Sequence, residues 1–176
     1  VNKDHYKGSY DNLNRFIAYY YQQNIIQKLR PKKVLEIGVG NKTISNYLKQ
    51  QGLDVTTCDY DSSLRPDYVA DIRELPFEKN SFDCVVAFEI LEHLPFTDFS
   101  KSLSELHRVS EKYVVISIPY SSIYFEFLLR FPFIDKIFRK NFLRLFLYIP
   151  FYSHKFLSKE HYWELGRKGY SLRRIR

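Results

Sequence analysis

The sequence predicts an α/β fold built on a doubly wound, mostly parallel sheet with helices on both faces, and three observations carry that reading. Strand-like runs at Val34–Ile37, Val55–Cys58, Phe82–Phe88 and Tyr113–Ile118 have the length and composition of strands, most clearly the near-continuous apolar run at 82–88, which suits burial on both sides of a sheet. Helical patterns alternate with these runs, and right-handed crossovers turn that order into a parallel sheet. Glu36, Asp59, Asp71 and Glu89 each fall at the carboxyl end of a strand, the edge where open α/β sheets hold ligands.

Residues 1–10 mix His5, Tyr6, Gly8 and Tyr10 with charges and predict irregular chain. Leu13, Phe16, Ile17, Tyr20, Tyr21, Ile25 and Leu29 then recur mostly three and four apart, which predicts an amphipathic helix with those residues inward, stopped by Pro31. The first strand, with Val34, Leu35 and Ile37, runs into Gly38 and Gly40, and a helix starts near Thr43. Ile44, Tyr47 and Leu48 mark its apolar face, and Gly52 closes it. The second strand ends in Asp59. A brief third one around Val69 ends at Asp71 and gives way to a loop through Pro76 to Ser81. After the strand at 82–88, Phe99, Leu103, Leu106 and Val109 line a helix face, and the last long strand ends at Pro119.

At 176 residues the natural count is one domain, residues 1–176, large enough to bury a full core. The net charge of +7 is uneven. Residues 120–176 hold 12 Lys/Arg against 4 Asp/Glu, whereas residues 1–119 hold 15 against 16. Cys58 and Cys84 sit inside strand runs and read as small core hydrophobes rather than a disulfide or a metal site, so no metal is expected. Together with the lack of a signal-peptide pattern at Val1 and of an uncharged run long enough for a bilayer, this predicts a cytoplasmic setting.

The stretch from Val34 to Thr43 carries the first functional signal. Glycine at 38 and 40 lets a ligand approach the backbone, and the amides opening the next helix favour an anionic group. Glu36 at the strand end suits a cationic one, so a zwitterionic amino-acid moiety fits the pair. A nicotinamide dinucleotide fits less well, because its fingerprint wants glycine or alanine where Thr43 stands.

Three segments together resemble the class I S-adenosylmethionine-dependent methyltransferases, the small methyltransferase-domain group with a Leu-Glu-His-Leu signature. They are Val34 to Gly40, the loop from Asp71 through Leu75-Pro76-Phe77 to Ser81-Phe82-Asp83, and Phe88-Glu89-Ile90-Leu91-Glu92-His93-Leu94-Pro95. The resemblance covers residues 30–119 well and a helix and terminal strand from Ser158 to Ile175 more loosely. It implies a Rossmann-like fold with S-adenosyl-L-methionine as cofactor. It also implies that Glu36 and the Gly38 backbone hold the methionine amino group, with Val39 and Gly40 lining the turn beneath. Asp59 would accept from both ribose hydroxyls, as a carboxylate can. Tyr60 would lie against the adenine, Asp71 would accept from its exocyclic amine, and the Ile72 amide would serve a ring nitrogen. Glu89 would border the methionine part. His93 is a candidate proton acceptor, set against a structural reading as a residue beside Glu92 at a helix start. Tyr6, Tyr10 and His5 either close over the cofactor or cover the sheet edge.

The chain departs from the family at two places. Lys42 stands where a third glycine is common, which predicts a stiffer, more positive turn. The family sheet ends in an antiparallel pair, of which Ser171 to Ile175 supplies only the first strand, so either the sheet is one strand short or the natural chain continues past Arg176.

Residues 120–156 crowd aromatic side chains among Arg130, Lys136, Arg139, Lys140 and Arg144, and predict a helical insertion after the fifth strand. Such a segment suits a cap over an active-site mouth or weak interfacial contact with a membrane. Stacking on RNA is the alternative. Its many leucines and isoleucines exceed what a nucleic-acid groove needs, so nucleic acid is the weaker partner. The sequence therefore predicts a methyltransferase for a small or lipid-like acceptor, cytoplasmic or peripheral to the membrane. The rivals are an RNA or protein methyltransferase and a catalytically inactive cofactor-binding module.

Overall fold

A computed structural model of the chain describes residues 6, 10–130, 142–150 and 159–175. The chain divides into two compact units, Val1–Ile118 and Pro119–Arg176. His5 and the parts of the insertion at 131–141 and 151–156 lie outside the described residues.

The first unit runs α1 (Leu13–Leu29), β1 (Lys33–Ile37), α2 (Thr43–Gln50), β2 (Asp54–Asp59), β3 (Tyr68–Val69), β4 (Phe82–Phe88), α3 (Phe99–Val109) and β5 (Ser110–Ser117). Its five strands are all parallel, in the order β3-β2-β1-β4-β5. From β1 the chain crosses through α2 to one side and later continues from β4 through α3 to the other. Right-handed crossovers in opposite directions place α2 and α3 on opposite faces. The order of strands reverses between β1 and β4, which makes their carboxyl ends the switch point of the sheet.

Alternation along the strands sorts the core. Val34, Val55, Cys84 and Val86 pack with Tyr19 and Ile26 of α1 and with Ile44 and Leu48 of α2. Both cysteines are free and buried, as the apolar runs around them predict, and burial pushes the Cys58 thiol up to about 11 and Cys84 up to about 12.

Two features of the first unit differ in detail from expectation. α1 is present over the predicted span, capped by Asn12 accepting from the Arg15 amide, but its inward residues are Tyr19, Gln22 and Ile26. Leu13 and Phe16, expected inside, are 74% and 57% exposed. Apolar and aromatic residues surround most of this helix, so spacing alone does not choose a face. Polar anchors do: Tyr19 donates to Asp11 Oδ1 at 3.0 Å and the Gln22 amide donates to Ser117 Oγ at 3.2 Å. β5 begins at Ser110, earlier than Tyr113, because it follows α3 without a loop.

The second unit corrects the predicted helical insertion. Its described part is an antiparallel pair, β6 (Ser122–Arg130) and β7 (Phe142–Pro150), registered from Ser122 opposite Pro150 to Arg130 opposite Phe142. Ile123, Phe125, Phe127 and Leu129 alternate along one strand face, and the aromatic and branched content favours a pleated surface once a partner strand is in register. The expected helix and strand between Ser158 and Ile175 are also replaced. Residues 159–170 form turns with single bridges pairing Tyr120 with Leu165 and Arg167 with Tyr170, and the chain ends in a short helix, α4 (Leu172–Ile175). Gly166 explains the break: it holds φ +81°, and a Cβ there would stand 2.5 Å from the Ser121 carbonyl oxygen. The buried Glu164 in this turn accepts from Arg167 Nε at 2.9 Å and lies 2.8 Å from His161 Nδ1.

No helix among the described residues is long and apolar enough to cross a membrane.

Candidate functional site

The residues singled out in the sequence lie in the first unit, along the carboxyl edge of its sheet. β1 delivers Glu36 one residue before its end, in register with Thr57 of β2 and Val86 of β4. The chain then leaves the sheet through Gly38 at φ +79° and Gly40 at φ +47°. Gly38 has no room for a side chain, since a Cβ would meet the Ile90 side chain after β4 at 2.0 Å. That close approach brings the two loops of the switch point together.

Lys42 takes the place of a third glycine and adopts a glycine-like conformation, φ +64°. Its backbone is held by a bond from its amide to the Val39 carbonyl at 2.7 Å, and its ammonium donates to the Arg65 carbonyl at 2.6 Å. The stiffer, charged turn expected from the sequence is therefore anchored at both ends of the residue. α2 starts directly behind it.

Glu36 is 4% exposed, and its Oε2 has no hydrogen-bond partner. Burial pushes its carboxyl up to about 8, against the opposing pull of Ser45 and Lys49. A buried acid with an orphaned oxygen is costly unless a donor completes it. An ammonium group is the donor such a site suits, and this fits the methionine end of S-adenosylmethionine.

Asp59 ends β2 and is partly exposed. Its Oδ2 accepts from the Val39 amide at 2.7 Å and its Oδ1 from the Asp61 amide at 2.9 Å. Each oxygen keeps a lone pair for a hydroxyl. Tyr60 beside it is 80% exposed. Asp71 follows β3, with the buried Ile72 next to it. Its Oδ1 accepts from the Arg73 amide and Nε at 2.8 and 2.9 Å, and its Oδ2 from Arg73 NH2 at 2.6 Å. The hydrogen bonds from Arg73 hold the Asp71 carboxyl below its ordinary range.

Glu89 follows β4 in the left-handed region, φ +56°, unusual for a residue with a side chain. Its amide donates to the Ser117 carbonyl at 3.0 Å, and its Oε1 accepts from the Ser117 hydroxyl at 2.8 Å. His93 ends a single turn of 3-10 helix, Leu91–His93, with its amide donating to the Ile90 carbonyl. Tyr6 packs its ring toward Gly40, where a Cβ would stand 3.4 Å from it, and its ring centroid is 4.9 Å from that of Tyr10.

Several residues of this edge escaped sequence reasoning. Arg73 bonds Asp98 at 2.7 Å as well as Asp71, joining the acidic loop to the turn before α3. Glu105 and Arg108 of α3 grip the same loop: Glu105 accepts from the Leu75 amide, and Arg108 donates to the Leu75 and Phe77 carbonyls. Gln22, Ser117 and Glu89 form a chain of hydrogen bonds from α1 to the end of β4. The only sequence signal for any of these is the basic residue two places after Asp71; the partners lie about 25 to 95 positions apart in the chain.

Residues 35–116 match the sequence profile of the methyltransferase domain family. No curated protein matches the chain by sequence. Among solved structures, the chain is similar to a protein from Pyrococcus horikoshii OT3 at 20% identity and TM-score 0.53, covering 65% of this chain and 63% of that one. It is also similar to magnesium protoporphyrin IX methyltransferase from Synechocystis PCC 6803 with bound SAH, at 16% identity and TM-score 0.56, covering 67% and 65%. A SAM dependent methyltransferase from Archaeoglobus fulgidus matches at 18% identity and TM-score 0.50, covering 74% and 57%. The matched region thus spans less than two thirds of the length of each of these three, and at such identities the likeness speaks for the fold.

Proposed function

We propose that the chain is a class I S-adenosylmethionine-dependent methyltransferase, as the match of residues 35–116 to the methyltransferase domain family supports, and that it transfers the cofactor's methyl group to a small or lipid-like acceptor. One observation carries the cofactor side of this reading. Glu36 is a buried carboxyl with an orphaned oxygen under a glycine turn, at the switch point of a parallel sheet.

The bound cofactor supplies a methyl group on a sulfonium that is already a good leaving group, so the protein's task is alignment. Glu36 and the Gly38 backbone hold the amino group, and Asp59 orients the ribose through its two oxygens. Asp71 and the Ile72 amide face the adenine edge, Tyr60 covers its plane, and Glu89 borders the methionine chain. Arg73 and the Ser117 hydroxyl act through Asp71 and Glu89 as positioning residues. None of these roles demands a general base, and His93 is assigned none.

A lipid-like acceptor is favoured by the apolar content of residues 120–150. Incubation of the protein with methyl-labelled cofactor and fractionated cell extract tests the reading. Label in the organic or small-molecule fraction is expected. Label lost on nuclease or protease treatment would move the acceptor to RNA or protein, and cofactor binding without any transfer would leave an inactive binding module.

A further inference from the structure

The hairpin β6–β7 presents a sheet face with no polar residue on it. Phe125 is registered with Leu147, Phe127 with Leu145 and Leu129 with Leu143, all on the same side of the pleat, and these six are 41–60% exposed. The opposite side alternates charge with apolar residues: Glu126 stands opposite Phe146 and Leu128 opposite Arg144. A two-stranded ribbon is marginal in water by itself, and an apolar patch of this extent marks a surface that something covers.

We propose that the apolar face of this hairpin lies flat in the interface of an anionic lipid bilayer. Charge complementarity selects this occupant. Residues 120–176 carry 12 Lys/Arg against 4 Asp/Glu, so two copies meeting on this face would bring two +8 segments together, while an anionic bilayer attracts the same surplus. The amphipathic pattern also suits a flat orientation, with aliphatic and aromatic side chains toward the acyl boundary and charged residues toward water. Glu126, exposed on the second side, opposes deeper insertion of the ribbon. Docking of this kind is reversible and weakens with salt. It requires no methyl transfer, so it stands apart from the catalytic reading.

Cosedimentation with phosphatidylcholine vesicles, with and without phosphatidylglycerol, tests the proposal on the full chain. Binding to the anionic vesicles at low salt is expected, with most of it lost in roughly 0.5 M salt, where charges are screened within a few ångströms. The double substitution Leu145→Asn with Leu147→Asn should weaken it at least about ten-fold by removing two apolar side chains from the contact. Circular dichroism and S-adenosylhomocysteine affinity, measured in parallel, should not change. Absence of the wild-type chain from the anionic pellet overturns the proposal, whether sedimentation velocity then shows a monomer or a dimer. Equal binding to neutral vesicles overturns the anionic assignment, and undiminished binding of the folded double variant overturns the role of this face. A failed cofactor measurement with intact vesicle binding would instead count against the methyltransferase reading.

Discussion

The Val39 amide donates to Asp59 Oδ2 at 2.7 Å, so the turn after β1 and the end of β2 share one carboxylate. The Asp61 amide reaches the other oxygen at 2.9 Å. Asp59 thus shapes the floor of the crevice before any ribose arrives, and its two roles are linked.

Asp59→Ala is accordingly expected to weaken S-adenosylhomocysteine binding by a few kcal/mol, about 1.5–3 for each charge-assisted bond lost. It should also lower the thermal midpoint, because two backbone amides lose their acceptor. Calorimetry on the folded variant decides the first point. Unchanged affinity would remove Asp59 from the site.

Glu36 makes the site pH-sensitive in a definite direction. Its carboxyl is raised to about 8 by burial, from an ordinary value of 4.5. Between those values the folded chain holds a proton that the unfolded chain has released, so this residue's contribution to stability falls as pH rises through the window. Glu36→Gln should flatten that slope and stabilise the ligand-free protein near pH 8, by an amount on the order of a few kcal/mol. An ammonium reaching Oε2 favours the charged form, so binding of S-adenosylhomocysteine at pH 7 should release a proton. Calorimetry in buffers of different ionisation enthalpy reads that proton, and no buffer dependence would reject the pairing.

Arg73 is expected to govern the adenine side of the crevice through Asp71. Arg73→Ala should return the Asp71 carboxyl toward its ordinary range, since the hydrogen bonds that lower it come from Arg73. A depressed carboxyl contributes stability above its unfolded value and loses it as pH falls through the folded one, so the variant should show less acid sensitivity from this group. Cofactor affinity should fall several-fold. Arg73→Lys should not restore it, because an ammonium cannot span Asp71 and Asp98 as the guanidinium fork does. Full rescue by lysine would reduce Arg73 to a simple charge.

Asp83 tests the frame rather than the site. Its Oδ2 accepts from the Lys32 and Lys33 amides at 2.8 and 2.9 Å, and its Oδ1 from Lys112 at 2.9 Å, tying the entry of β1 to β4 and β5. Asp83→Ala should cost about 1–3 kcal/mol in denaturant unfolding. Cofactor affinity should stay constant, since the clamp sits at the opposite end of the strands.

How far the sequence reaches follows from what each signal depends on. β1 and β4 were readable because burial on two faces writes itself as an apolar run, whereas β3, exposed at Tyr68 and Val69, left only a two-residue trace before Asp71. Glu36, Asp59, Asp71 and Glu89 stand at or just beside the strand ends. The inward face of α1 was not readable. It is set by Tyr19 and Gln22 reaching polar partners distant in the chain, and a helix ringed with aromatics has no single stripe. The hairpin was mistaken for helix because a segment this rich in Phe and Leu satisfies both periods locally, and only the pairing of Phe125 with Leu147 and its neighbours decides between them. Arg73 was missed because its second partner, Asp98, lies on another loop.

Gly38 offers the sharpest test of the switch point. Its φ of +79° and the 2.0 Å separation between a hypothetical Cβ and Ile90 Cδ1 are two separate obstacles to any side chain. Gly38→Ala should therefore destabilise the chain by more than the roughly 1–2 kcal/mol that left-handed backbone costs an ordinary residue. Ile90→Ala should cost stability in its own right by removing packed methyl groups. In the double variant the steric part disappears while the backbone part remains, so the two costs should sum to more than the double variant loses. A double-mutant cycle in urea measures that coupling. Strict additivity would mean that the loops after β1 and β4 do not touch, and the crevice between them would have to be redrawn.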